Sequence, residues 1–95
     1  MKHFEIMFIL KPDLTEKEIH DKLFDVKTYI RKLGGNVIKE DVWGTKNLAY
    51  EIEGYYRGIY CLFAFDAPYG IIKELGEMMK QDKAVLRSMI ITKPE

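Results

Sequence analysis

Trp43-Gly44-Thr45-Lys46-Asn47-Leu48-Ala49-Tyr50-Glu51-Ile52 is the stretch whose reading decides the fold. Gly44 breaks a strand-like run, a polar triplet carrying one cation follows, and Leu48, Tyr50 and Ile52 then return to one side of a strand. Glycine inside a strand pattern marks a bulge or a close approach of another backbone. On physics alone the stretch reads as a kinked edge strand with a solvated lysine. The Lys46-Asn47 pair could also meet a phosphate or a base edge.

Upstream, residues 2–11 alternate, with Phe4, Ile6, Phe8 and Leu10 on one face and His3, Glu5, Met7 and Ile9 on the other. Both faces turn apolar in the middle, which predicts a central strand. Pro12 and Asp13 stop it. Thr15-Glu16-Lys17-Glu18 is a capping box, and Ile19, Leu23, Val26, Ile30 and Leu33 form the apolar stripe of the helix that follows. Gly34-Gly35 ends that helix. A second strand is expected from Asn36 to Trp43, broken at Gly44 and resuming from Leu48 to Ile52, with Gly54 to Gly58 as a hairpin loop.

Downstream, residues 59–66 are apolar on both faces. Pro68 opens a second helix with Ile71, Ile72, Leu75, Met78 and Met79 as its buried stripe. Gly76 weakens it by roughly 1 kcal/mol relative to Ala. Gln81-Asp82-Lys83 turns the chain into a last strand, Val85 to Lys93, ended by Pro94. With right-handed crossovers, the order strand, helix, strand, strand, helix, strand becomes an α+β, ferredoxin-like βαββαβ domain. Its four-stranded antiparallel sheet carries both helices on one face. The other face then exposes Met7, Ile9, Tyr60, Leu62, Ala64, Met89 and Ile91, with Arg87 and Lys93 on the same parity. Such an apolar surface suggests docking, or cover by loops or by a second copy.

The 95 residues make one domain, 1–95. Fifteen cations balance fifteen acids, so no global field holds a polyanion, and any nucleic-acid binding must come from a local patch. One cysteine, Cys61, excludes an internal disulfide and a multi-cysteine metal site. No stretch approaches the ~20 apolar residues of a membrane helix. The chain reads as soluble and cytoplasmic.

An enzyme lacks parts here. His20 sits among helix-surface positions, and His3 has no obvious acid partner. No glycine-rich loop cradles a phosphate, and Lys11-Pro12-Asp13-Leu14 is no acylphosphatase-like anion loop. Glu16, Glu18, Glu40, Asp41, Glu51 and Glu53 read as helix-start and solvent-face charges. Cys61 has inward parity and reads as an inert core thiol. RNA-recognition domains share this strand order and stack bases on aromatics of the two central strands. Here Arg57-Gly58 opens the third strand as in that motif, but Ile59, Cys61 and Ala64 stand where aromatics belong, so that mode is disfavoured.

Gly44 to Ile52 resembles the signature of the bacterial small-subunit ribosomal protein six family: Gly, a basic residue, a polar one, then Leu-Ala-Tyr-x-Ile. The resemblance covers nearly the whole chain. Met1-Lys2-His3-Phe4-Glu5 is similar to the family's start, Lys11-Pro12 to its strand-ending proline, Trp43-Gly44 to its aromatic or aliphatic residue before Gly, and Arg87 to Lys93 to its basic, apolar last strand. It implies a non-catalytic component of the cytoplasmic ribosome, without cofactor, metal, membrane or small-molecule substrate. The implied partners are the central domain of small-subunit ribosomal RNA and ribosomal protein eighteen. It places RNA contacts at Lys2, Lys46, Asn47, Tyr50, Arg87 and Lys93. Partner docking falls to Met7, Ile9, Tyr60, Leu62, Met89 and Ile91 on the open face. Thr45 and Glu53 depart from the family pattern and weaken the basic patch. The alternative is a ferredoxin-like oligomerising or ligand-sensing module using that face.

Overall fold

The computed structural model describes residues 1–93; the expected stop at Pro94 lies outside the described residues. The chain runs β1 (Lys2–Leu10), α1 (Glu16–Lys32), β2 (Asn36–Ile52), β3 (Tyr55–Ala67), a 3₁₀ turn (Tyr69–Ile71), α2 (Ile72–Gln81) and β4 (Val85–Thr92). The sheet order is β2-β3-β1-β4, all neighbours antiparallel. Both helices cover one face, as the ferredoxin-like reading expects.

Local chemistry explains the elements. Thr15 Oγ1 accepts from the Glu18 amide at 3.2 Å, and Glu18 Oε1 accepts from the Thr15 amide at 2.8 Å, closing the capping box. Gly34, at φ +92°, supplies the left-handed residue after α1. Pro68 opens only a 3₁₀ turn, and α2 begins without a side-chain cap. The core lies between the helices and one sheet face. Phe4, Ile6, Phe8, Leu10, Cys61, Phe63 and Phe65 come from the central strands, with Val26, Ile30, Leu75 and Met79 from the helices. Phe8 and Phe63 meet edge to face at 5.2 Å, the favoured aromatic geometry.

Two expectations are corrected in the second strand and its hairpin. β2 does not stop at Gly44; it continues to Ile52 and absorbs the interruption as bulges. Val37 faces Phe65 while Lys39 faces Ala64, so Ile38 is an extra residue. Val42 faces Cys61 while Gly44 faces Tyr60, so Trp43 is another. Bulged residues have no cross-strand partner, which leaves Ile38 and Trp43 exposed at the edge. The hairpin turn is the two-residue Glu53-Gly54, not residues 54–58, and Tyr55 already pairs with Ile52. Both turn residues have positive φ, 50° and 85°, the signature of a tight hairpin whose twist matches its strands.

The β1–β3 pairing starts only at Ile59. Tyr55 to Gly58 and the facing half of β2 therefore form a two-stranded arm beyond the four-stranded sheet. Its base is pinned at Gly58, where a Cβ would overlap Ile9 Cγ2 and stand 3.5 Å from Leu48 Cδ2. Ile9 and Leu48 thus both pack onto Gly58 on the sheet's open side. Its tip comes round toward β4, where Glu53 borders the same groove as Leu86, Arg87 and the α2 residues Lys73 and Lys80.

Candidate nucleic-acid interface

The open face carries Met7 and Ile9 of β1, Tyr60, Leu62 and Ala64 of β3, and Arg87, Met89 and Ile91 of β4, as the pairing registers require. Met89 and Ile91 are 54% and 44% exposed, while Met7, Tyr60 and Leu62 are half-buried by their neighbours. Ile9 corrects the expectation of an exposed docking residue. It is buried, with its Cγ2 packed closely onto Gly58 at the base of the arm. Met7, Ile9, Arg87, Ser88 and Met89 line a shallow apolar dimple of about 130 Å³ on this face.

The residues expected to contact RNA do not form one patch. Lys46, Asn47 and Tyr50 lie on the arm, and Arg87 lies opposite Ile9 at that same end of the sheet. Lys2 sits opposite Ala67 at the far end, and the Lys93 amide bonds the His3 carbonyl there. From residue 3 to residue 9 of an extended strand is roughly 20 Å, so Lys2 and Lys93 form a separate, second locus. Lys2 also has the parity of the helix-covered face, and Lys93 Nζ is paired with Glu5 at 3.6 Å. A further correction belongs to this end: His3, expected to lack an acid partner, bonds Asp66 through Nδ1.

Electrostatics separates the two loci. Among the described residues, neither Lys46 nor Arg87 makes an ion pair. Each is held instead over an aromatic ring of β2: Lys46 Nζ 5.6 Å from the Trp43 centroid, Arg87 Cζ 5.6 Å from that of Tyr50. Lys11 Nζ lies 5.9 Å from the Tyr55 centroid, so three cations rest on three rings of β2 and β3. A ring orients a cation without neutralising it, whereas a carboxylate cancels its charge. Tyr55 also donates to Asp13 Oδ2 at 3.3 Å, tying the arm to the β1–α1 loop. Trp43, Tyr50 and Tyr56 remain 46%, 57% and 69% exposed, an aromatic surface interleaved with uncancelled cations.

Nothing in the sequence signalled this pairing. Tyr50 and Arg87 meet only because β4 adds to β1 while the arm bends across the end of β1. Trp43 was legible as an aromatic before a glycine, but its exposure comes from the bulge. The acids behave mostly as expected: Glu18 caps α1, and Glu40 is held by Lys27 at 3.2 Å. Asp82, read as a turn residue, lies in the turn between α2 and β4 and also centres a partly buried network, accepting from Lys22 Nζ and Tyr29 Oη at 2.9 Å each and from the Ala84 amide at 3.1 Å. Among the described residues no group of three or more His, Cys, Asp or Glu could hold a metal. Nor is any described helix long and apolar enough to cross a membrane.

Comparison with known proteins agrees with this architecture. A family model described as Ribosomal protein S6 matches residues 3–92. Small ribosomal subunit protein bS6 of Natranaerobius thermophilus is 38% identical over 90 residues, covering 95% of this chain and 94% of the relative. The bS6 protein of Streptomyces coelicolor is 37% identical over 95 residues, covering 100% and 98% respectively. The crystal structure of 30S ribosomal protein S6 from Thermotoga maritima superposes with a TM-score of 0.90 at 25% identity, covering 97% of this chain and 87% of that one. With the family model spanning residues 3–92 and relatives this similar over nearly their whole length, the chain belongs to the ribosomal protein S6 family.

Proposed function

We propose that this chain is a non-catalytic component of the small subunit of the cytoplasmic ribosome, gripping ribosomal RNA with its β2–β3 arm and docking ribosomal protein eighteen on its open sheet face. One observation carries the reading: Lys46 and Arg87, which have no acid partner among the described residues, are aimed by rings of β2 at one end of a net-neutral protein. A neutral chain has no long-range field for RNA, so a few aimed cations must supply the electrostatic attraction. Lys46 and Arg87 contact phosphates, and Asn47 and Tyr50 add polar and stacking contacts. Lys2 and Lys93 make a lesser second contact, since Glu5 offsets the Lys93 charge. Met7, Tyr60, Leu62, Met89 and Ile91 form the apolar dock for the partner, with buried Ile9 as its floor.

A salt titration of assembly onto central-domain ribosomal RNA, with the partner protein present, tests this. Lys46→Ala and Arg87→Ala should each weaken assembly and lower the slope of log affinity against log salt by about one unit or slightly less. Leu62→Asp should block docking of the partner without that change in slope. If Lys46→Ala and Arg87→Ala match the parent at every salt concentration, the RNA site lies elsewhere. The exposed Met89 and Ile91 also fit a self-associating module. Sedimentation of the isolated protein as a dimer, with no affinity for RNA or partner, would favour that reading.

A further inference from the structure

Trp43 is the extra residue of the second β2 bulge and the single tryptophan of the chain. Nearly half its surface is exposed, although indole is the largest apolar side chain and ordinarily the most rewarding to bury. Gly44, at φ +89°, takes the left-handed conformation that the bulge requires, and a Cβ there would meet nothing within 4 Å. Its glycine therefore serves the backbone bend, and the bend leaves the ring at the sheet edge. Lys46, facing Gly58, holds its ammonium near the indole. The ring thus has the cation beside it while nearly half of the residue stays open to solvent.

Building on the proposed RNA grip, we propose that Trp43 and Lys46 form one nucleotide subsite: the indole stacks an unpaired base while the ammonium meets an adjacent phosphate. A nucleotide satisfies both groups together, since any base has a π face and its backbone carries the anion. An apolar protein surface laid over Trp43 would instead strip water from the Lys46 ammonium without giving it a counter-charge. Tyr50 with Arg87 repeats this arrangement at a neighbouring ring, whereas Tyr56 has no cation beside it among the ring–cation pairs of the described residues. Trp43 thus combines exposure, a bulge and a cation with no acid partner among the described residues.

The test is assembly onto central-domain ribosomal RNA with the partner protein, for the parent, Trp43→Ala, Trp43→Phe and Lys46→Ala. Trp43→Ala should weaken binding roughly 5- to 100-fold, the range for one lost aromatic–base stack. The salt slope should change by less than it does for Lys46→Ala, because the ring that orients the ammonium is lost but the charge itself is kept. Trp43→Phe should recover part of the loss, and the parent's Trp43 fluorescence, isolated by subtracting the Trp43→Phe complex, should be quenched on adding RNA. If Trp43→Ala binds as the parent while Lys46→Ala weakens binding and lowers the slope, the subsite is overturned and the RNA grip stands. If Trp43→Ala weakens association of the two proteins without RNA, the ring faces protein and the subsite is overturned. If neither variant changes anything, both the subsite and the grip fall.

Discussion

Cys61 and Asp82 show how surroundings set the chemistry of single side chains. Cys61 is fully buried between the central strands and helices, and burial pushes its thiol up to about 12. A thiol reagent should therefore label it slowly in the native protein and quickly in denaturant; rapid native labelling would reverse the parity of β3. Desolvation pushes the Asp82 carboxyl up, but hydrogen bonds from Lys22, the Ala84 amide and Tyr29 outweigh it and hold it below its ordinary value. Its contribution to stability is thus present above the unfolded value of about 4 and lost as pH falls through the lower folded value. Burial and the Asp82 bond raise Tyr29 to about 12, so its contribution holds below about pH 10 and fades above it. Asp82→Asn should cost about 1–3 kcal/mol at neutral pH, the penalty for stranding partly buried partners. Acid titration should show the difference from the parent shrinking below pH ~4; a constant difference would remove the carboxylate from the account.

At the scale of elements, the two helices differ in how completely their ends and interiors are specified. α1 has a closed capping box, acids in its first turn and basic residues in its last, which suit the helix dipole. α2 is shorter, starts without a side-chain cap and carries Gly76 in its interior. A Cβ at Gly76 would meet nothing within 4 Å, so the helix gains no packing from the missing side chain. Gly76→Ala should stabilise the protein by about 0.5–1 kcal/mol, through the entropy of the unfolded chain. Thermal unfolding checks it, with no rise in midpoint counting against the geometry. The arm is likewise an element with its own logic: a tight turn at Glu53-Gly54, a register shift between Asn47 and Ile52, and attachment through Leu48, Ile9 and Gly58. An isolated hairpin is marginal in water, so this one depends on that attachment.

For the whole molecule, one core joins both helices to one sheet face, and Ile30 and Leu75 sit fully buried within it, one from each helix. Ile30→Ala or Leu75→Ala should each destabilise the fold by about 2–5 kcal/mol. Denaturant midpoints measure this, and a negligible shift for either would mean its helix packs by another face. Both positions lie across the sheet from the open face. Loss of stability at these two sites should therefore come without change in the salt slope of RNA assembly, which distinguishes core damage from interface damage.

The sequence by itself determined the element order, both helix faces, the inward parity of Cys61 and the capping box at Thr15. Those features rest on periodicity and local hydrogen bonding, which neighbouring residues settle among themselves. It also determined the family, because Gly44 to Ile52 and the terminal strands carry a residue order that folding alone does not demand. Three things were left to the tertiary structure. The length of β2 and its turn depended on bulges, which shift register by one residue and have no pattern beyond a glycine. Burial of Ile9 depended on an arm that alternation along β1 could not reveal. The meeting of Tyr50 with Arg87, and the separation of Lys2 and Lys93 from both, depended on which strand adds to which. Strand pairing brings distant residues together through backbone hydrogen bonds that carry no side-chain identity. The candidate site is therefore a property of the assembled sheet, built from residues whose types were visible but whose neighbours were not.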